Sequence, residues 1–179
     1  MENQKASIKK NGTTYGIYLG LTLALTTVLC YVIDLSFFVS LWTMLFNILI
    51  ILGFGIFSAA STKKFTNGFP TYKQVFTSYT ITLALGLLIS TIVGILLFNV
   101  IDPEAANTVK ELSIEYSREL MERFRAPEKQ IEQELIKLEE SEPLSMIAQI
   151  NKYFGFLTFM LVIGLLVALI FRKKNPSIE

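Results

Sequence analysis

The chain has 179 residues, of which 52% are hydrophobic and only 17% are charged, and its mean hydropathy is +0.51. A water-soluble domain usually has about a quarter of its residues charged, so this composition excludes an ordinary soluble domain. The chain has no histidine, one cysteine (Cys30) and a net charge of +1, which excludes imidazole catalysis, histidine-ligated metals, zinc clusters, an internal disulfide framework and the basic balance typical of nucleic-acid binding.

Four uncharged stretches are long enough to cross a membrane. The hydrocarbon core needs about 20 apolar residues in a helix, and backbone groups in lipid must pair within their own segment, so each stretch is predicted to be a transmembrane helix. The predicted spans are helix one (13–33), helix two (36–60), helix three (75–101) and helix four (153–171). A cleavable signal peptide is the alternative for the first stretch; its greater length and the absence of a small-x-small pair after it disfavour this alternative.

The charges that flank the spans orient them. Nine of the sixteen basic residues lie before helix one, between helices two and three, or after helix four, and this face has a net charge of +7. The other face has a net charge of −6, because thirteen acidic residues outnumber seven basic ones there. Since short loops rich in lysine and arginine stay in the cytoplasm, segments 1–12, 61–74 and 172–179 are expected to be cytoplasmic, and segment 102–152 is expected to lie outside.

Residues 102–152 are predicted to form an amphipathic helical hairpin. Asp102 and Pro103 suit the start of a helix, and apolar residues then recur at spacings of three and four. Pro127 restarts this pattern and Pro143 ends it. About 45 residues are too few for a robust independent core, so the hairpin is expected to cover the outer mouth of the bundle. The alternative is an external sensor or docking element for a protein partner. The acidic residues show no metal-ligand spacing, so no metal site is predicted.

Small residues at every fourth position mark predicted helix-packing faces. These residues are Gly12, Gly16 and Gly20 in helix one, Gly86, Ser90 and Gly94 in helix three, and Gly164 and Ala168 in helix four. Such rows let helix backbones approach closely, because packing rather than the hydrophobic effect drives helix association in lipid. Packing within one chain is the favoured interpretation, and homo-oligomerisation is the alternative.

Asn47 is the one amide well inside a predicted span. A hydrogen bond to another helix is the favoured interpretation, and a position beside a polar pathway is the alternative. None of the four spans contains Asp, Glu, Lys or Arg, the residues that usually mark pumps, transporters and proton relays. The sequence therefore predicts no catalytic residue and no cofactor, and it disfavours an ion-coupled transporter.

The loop before helix three contains a turn followed by a capping box from Thr71 to Gln74. It reads Asn67-Gly68-Phe69-Pro70-Thr71-Tyr72-Lys73-Gln74-Val75-Phe76. This loop, the four spans and the Asp102-Pro103 start of a Glu-rich outer segment together resemble one family. It is domain-of-unknown-function family 4199, which consists of small integral membrane proteins of Gram-negative bacteria. The resemblance covers about residues 10–175 and implies an inner-membrane location with a periplasmic outer segment. It implies no known activity, substrate or functional residue.

The favoured function is that of a non-enzymatic membrane protein acting by protein interaction, as an accessory, assembly or envelope component, with the outer hairpin and the basic inner face as contact surfaces. The alternative is a small oligomeric permease or channel subunit with Asn47 and the glycine rows near its pathway. An intramembrane enzyme is disfavoured because no acid, base or nucleophile pair lies within a span. The expected partners are membrane lipid and a protein that binds the outer segment. A homo-oligomer is left open, and no nucleic acid is expected.

Overall fold

The computed structural model describes residues 2–173, which form six α-helices joined by short turns. The helices are α1 (Glu2–Ile33), α2 (Leu41–Ser61), α3 (Tyr72–Leu96), α4 (Pro103–Arg123), α5 (Glu128–Glu140) and α6 (Met146–Phe171), with 3₁₀ turns at Leu35–Phe38 and Thr62–Phe65 and a π-helical turn at Leu97–Ile101. Of these, α1, α2, α3 and α6 are long and apolar enough to cross a membrane. The prediction of an all-α membrane protein with four spans and a helical hairpin between the last two is confirmed.

The first helix extends well beyond its apolar stretch. It starts at Glu2, eleven residues before the predicted span, and its first turns pack against the rest of the bundle. Ile8 is buried, and the side-chain amide of Gln4 donates a hydrogen bond of 2.9 Å to the carbonyl oxygen of Phe65. The residues at which α1 enters lipid stay predictions. Met1 and residues 174–179, which include most of the predicted C-terminal tail, lie outside the described residues.

Side-chain caps account for where two other segments begin. Asp34 accepts a hydrogen bond of 2.8 Å from the Ser36 amide and so starts a 3₁₀ turn at Leu35–Phe38, and α2 begins after this turn, at Leu41 instead of the predicted residue 36. Ser145 accepts from the Ala148 amide, so α6 starts at Met146, seven residues before the predicted span. Side-chain capping satisfies the free amides at a helix start, so such residues set where a helix begins.

Helix α3 is the central helix of the bundle. Helices α1, α2 and α6 all pack on it, and the contact between α1 and α3 is the most extensive of all. The start of α1 and the end of α6 lie at one end of the bundle, where the backbone amide of Lys173 donates to the carbonyl oxygen of Pro70. We call this the terminal end, and we call the opposite end, which carries α4 and α5, the hairpin end.

The glycine row of α1 lies against α3. β-Carbons built at Gly12, Gly16 and Gly20 would lie only 2.7 to 3.0 Å from atoms of α3. The reciprocal position on α3 is Gly86, where a β-carbon would lie 2.6 Å from the Leu19 side chain. Distances this short leave no room for a side chain, so the two backbones approach as closely as rows of small residues in membrane helices permit.

The side chain of Tyr79 on α3 lies at the centre of the helix packing in the half of the bundle next to the terminal end, here called the terminal half. Its ring is fully buried between Gly55 of α2 and Gly164 of α6, where built β-carbons would lie 2.6 and 2.5 Å from ring atoms. Its hydroxyl donates a hydrogen bond of 3.1 Å to the carbonyl oxygen of Met160. One side chain thereby holds three helices together. Leu19, Leu83 and Met160 are also fully buried in this half, which is packed like a protein interior.

Substitution of Gly12 tests the contact between α1 and α3. A β-carbon there would lie 2.8 Å from the carbonyl oxygen of Ser78, a backbone atom that cannot move aside. We expect Gly12→Val to lower the free energy of unfolding by about 1–3 kcal/mol, the usual consequence of overpacking. Gly53→Val is the matched control, because nothing lies within 4 Å of its β-carbon. Unfolding by SDS titration in mixed micelles measures the difference, and equal stability of the two variants would contradict this packing.

Candidate functional site

Five polar side chains join α1, α2 and α3 in the terminal half: Asn11, Ser58, Ser61, Ser78 and Thr82, here called the polar cluster. The Asn11 amide nitrogen donates to Ser78 Oγ at 2.9 Å and to the Ser58 carbonyl oxygen at 3.1 Å. Its oxygen accepts from Ser61 Oγ at 2.9 Å. Ser58 Oγ lies 2.9 Å from Ser78 Oγ and 2.7 Å from Thr82 Oγ1, so two hydrogen bonds connect α2 to α3.

Each side chain of the polar cluster has a hydrogen-bond partner inside the bundle. Buried polar groups of this kind are tolerated because their partners replace water. The polar cluster contains no charged group, so its chemistry fits the fixation of three helices rather than the binding of an ion or a substrate. It lies beside the glycine row of α1, and Thr82 Oγ1 is also 3.1 Å from the carbonyl oxygen of Gly12.

Sequence reasoning missed Asn11 because this residue precedes the first uncharged stretch. A signal was nevertheless present. Ile8 and Asn11 continue, at spacings of three and four, the face of α1 that carries Gly12, Leu19 and Leu23, all of them buried. This periodicity indicates that the helix continues beyond the lipid-embedded segment.

The remaining small residues of the predicted packing faces have different surroundings. Gly164 contacts the Tyr79 ring, and Ala168 is fully buried in the same core. A β-carbon at Gly94 would lie 2.6 Å from Oε1 of Gln149, so this glycine lies against a polar side chain of α6. Ser90 and Gly94 also line a cavity.

This cavity has a volume of about 330 Å³ and lies in the hairpin half between α1, α2, α3 and α6. Its deeper walls are apolar and include Leu23, Ile51 and Leu87. The polar lining residues lie about one turn or more nearer the hairpin end than these apolar ones, and they are Thr27, Asn47, Ser90, Thr91, Gln149 and Lys152. The cavity therefore has an apolar interior and a polar rim.

Asn47 lines the cavity, and its hydrogen bonding differs from the favoured expectation. Its amide nitrogen donates to the carbonyl oxygen of Thr43, one turn back in the same helix, at 3.0 Å. The prediction that the Asn47 amide nitrogen bonds to another helix is therefore wrong. The Thr43 carbonyl is within reach in the same helix, and on this side α2 borders the cavity instead of a neighbouring helix. A role beside a polar pathway stays a prediction.

The base of the hairpin is attached to the spanning helices by a hydrogen-bonded carboxylate. The hydroxyl of Tyr31 donates to Asp102 Oδ2 at 2.7 Å, and the Ala105 amide donates to Asp102 Oδ1 at 3.0 Å. These two donors, the tyrosine first, hold the pKa of Asp102 below its ordinary value. Asp102 is thus both the N-cap of α4 and its link to α1.

Apolar packing and a second set of hydrogen bonds complete this attachment. Ala105 and Val109 of α4 are buried against Leu97 and Phe98. The segment that returns from α5 is held through backbone carbonyls. The side chains of Asn99 and Gln149 donate to the carbonyl oxygen of Leu144 at 3.0 and 2.7 Å, and Lys152 Nζ donates to that of Pro143 at 2.9 Å.

Beyond Val109 the hairpin projects away from this base. Helix α5 packs on α4, and within residues 2–173 it makes no substantial contact with a spanning helix. The expectation that the hairpin covers the mouth of the bundle therefore holds only for its base. The reason is that the apolar stripes of α4 and α5 face each other, with Leu135 buried between them.

One face of α4 carries a row of exposed carboxylates, here called the acidic stripe. It consists of Glu111, Glu115, Glu119 and Glu122. Their spacing of four, four and three residues aligns them on a single face of the helix. The stripe has no metal-binding geometry: among the described residues, no three His, Cys, Asp or Glu side chains are placed to hold a metal ion.

Comparison with known proteins identifies one matching protein family. The family model described as "Protein of unknown function (DUF4199)" matches residues 14–173. This match covers the hairpin, all of α2, α3 and α6, and α1 from residue 14 onward. No curated protein and no solved structure matches the chain.

Substitution of Asn11 tests the polar cluster. Asn11→Leu removes the partner of Ser78 and Ser61, and we expect a loss of about 0.6–1.7 kcal/mol in the free energy of unfolding, from the average to the maximum measured for interhelical hydrogen bonds in a membrane protein. Asn47→Leu is the matched control, because its amide donates only within its own helix. SDS titration of both variants measures the effect. The role of the polar cluster would be refuted by two variants of equal stability.

The pH dependence of stability tests the link through Asp102. Because its pKa is lowered on folding, the carboxylate contributes stability above its ordinary pKa of 3.8, and this contribution is lost as the pH falls through the folded-state pKa. The melting temperature of wild type should exceed that of Asp102→Asn at neutral pH, and the difference should shrink on acidification below pH 3.8. Glu119→Gln, on the exposed face of α4, is the control. A difference independent of pH would contradict the link.

Proposed function

Because the chain belongs to the DUF4199 family of proteins of unknown function, we propose a role from its own geometry: a non-enzymatic inner-membrane protein that binds a protein partner through the hairpin of α4 and α5. Such a protein would serve as an accessory, assembly or envelope component. The observation that carries the proposal is a hairpin that is firmly attached at its base and exposed beyond it.

The attachment supports a docking role because it sets the direction of the hairpin. Tyr31 bonds to Asp102 on the α4 side, and Asn99 bonds to Leu144 on the return side. A contact surface held in this way loses less conformational entropy on binding than a flexible loop does. Exposure of nearly all of α5 leaves its outer face free for a partner.

The acidic stripe indicates the chemistry of the partner. Four carboxylates on one face attract a basic surface, and complementary charge of this kind steers encounter and sets orientation. In the described chain, the one salt bridge joins Lys137 to Glu134 on α5, so no ion pair neutralises the stripe on α4. Arg118 lies on the same face, so four carboxylates and one guanidinium leave this face with a net charge of −3. The proposed partner is therefore a protein with a basic surface, and its binding should weaken with salt.

The packing of the terminal half supports this role over that of a permease or channel subunit. A pathway needs a continuous route through the bundle. The cavity extends from the hairpin end only as far as Leu23 and Leu87, and beyond them the side chains of Leu19, Tyr79 and Leu83 are buried in the core. A pathway through an oligomer stays an alternative, since it needs no route inside one chain.

We further propose that both termini are cytoplasmic and that the hairpin is periplasmic. The support is the charge pattern: the terminal end carries Lys63, Lys64 and Lys73, whereas the hairpin is acidic. In a Cys30→Ser background, a membrane-impermeant thiol reagent should label Glu119→Cys in cells with a permeabilised outer membrane. It should not label Lys64→Cys until the inner membrane is opened. The reverse pattern would overturn the orientation.

Neutralisation of the acidic stripe tests the docking proposal. We expect the quadruple change Glu111→Gln, Glu115→Gln, Glu119→Gln and Glu122→Gln to reduce crosslinking of a periplasmic partner in native membranes by about tenfold or more, since each lost charge pair of 0.2–1 kcal/mol adds to the others. Quantitative mass spectrometry of crosslinked, affinity-captured material measures the loss.

A matched control removes the same charge from the other helix. It combines Glu128→Gln, Glu132→Gln, Glu139→Gln and Glu140→Gln on α5. Retained capture by this variant and loss by the α4 variant would support the stripe as the contact. Equal loss from both would show a general charge effect, and retention by both would overturn docking through the stripe.

A further inference from the structure

The hairpin half of the bundle is open between α2 and α6. In the terminal half, Gly55 and Gly164 both contact the Tyr79 ring and hold these helices together. Towards the hairpin end, no described residue of α2 before Ile51 and none of α6 before Met160 is buried. In this half α6 packs on α3, where the Tyr153 hydroxyl donates to the carbonyl oxygen of Ala84, and the cavity is left between α6 and α2.

The size and walls of the cavity fit an alkyl chain. Its volume of about 330 Å³ lies at the lower end of the range for ligand pockets. The walls formed by Leu23, Ile51, Leu87 and Phe156 offer no hydrogen bonds from their side chains to water, whereas they offer close contacts to a hydrocarbon.

The rim of the cavity carries a cation. Lys152 lines the cavity, and its amine donates to the carbonyl oxygen of Pro143, which engages one of its three N–H donors. Within residues 2–173 no carboxylate lies within 4.0 Å of this amine, although acidic residues dominate the hairpin. Lys152 lines the same cavity as the apolar residue Phe156, one turn further along α6. A ligand with an apolar chain and an anionic group can therefore contact both residues.

From these observations we propose that the cavity binds one acyl chain of an anionic phospholipid, with the headgroup phosphate held by Lys152. The chain lies among Leu23, Ile51 and Leu87, and Gln149 borders the headgroup region. Charge complementarity selects an anionic headgroup, because the ammonium group is the cation at the rim and phosphate is a ligand that lysine commonly binds. This site is independent of the hairpin's protein partner.

Photocrosslinking with two lipids tests the proposal. The purified full-length protein is placed in vesicles of equal parts phosphatidylglycerol and phosphatidylcholine, with a diazirine at the acyl terminus of one lipid at a time. We expect label at Ile51, Leu87 and Phe156 to exceed label at Leu49 and Ile170, which are exposed on the outside of the bundle. Phosphatidylglycerol should label the cavity about fivefold more than phosphatidylcholine, the factor that one lysine contributes at a membrane surface.

Substitutions separate the headgroup from the chain. Lys152→Gln should abolish the preference for phosphatidylglycerol, and Lys137→Gln, on the hairpin, should keep it. Ser90→Phe should fill the cavity and remove cavity label from both lipids; Thr27→Leu is a milder second variant, since its hydroxyl bonds only to its own helix. Equal labelling inside and outside the cavity, or a preference that survives Lys152→Gln, would overturn the proposal.

Discussion

The close approach of α1 to α3 is the constraint on which the rest of the structure depends. In lipid, apolar side chains do not drive helices together, so contact must come from packing and hydrogen bonds. Gly12, Gly16 and Gly20 permit the approach, and Gly86 permits it from the other side. Once the backbones are this close, Thr82 reaches the carbonyl oxygen of Gly12, and the polar cluster can form.

This contact divides the bundle into two halves with different properties. In the terminal half, the polar cluster holds α2, and the Tyr79 ring holds α2 and α6, so all four helices are packed. In the hairpin half, α2 and α6 lack such a shared residue, and the cavity lies between them. The π-helical turn at Leu97–Ile101 ends α3 at this level and places Phe98 beside Phe38, with ring centres 5.1 Å apart. Rigid packing and open space thus lie at opposite ends of one helix.

Local features of the fold could be predicted from the sequence, whereas contacts between helices could not. The four spans follow from uncharged length alone, and the capping box from Thr71 to Gln74 forms as predicted. Asp102 and Pro103 start α4 as expected, because capping depends on neighbours in the chain. Tyr79 was not predicted to be central, since its position depends on which faces of α2 and α6 meet. The cavity was not predictable either, because it arises where side chains fail to meet.

A disulfide across the glycine row tests the central claim most directly. A β-carbon at Gly16 would lie 3.0 Å from Cβ of Leu85, below the usual disulfide separation of about 3.5–4.5 Å, so the bond can form only if the two backbones move apart by about half an ångström. In a Cys30→Ser background, Gly16→Cys with Leu85→Cys should oxidise within one chain, giving a monomer two hydrogens lighter. A disulfide-linked dimer, or two free thiols after oxidation, would contradict the contact of α1 with α3 inside one chain.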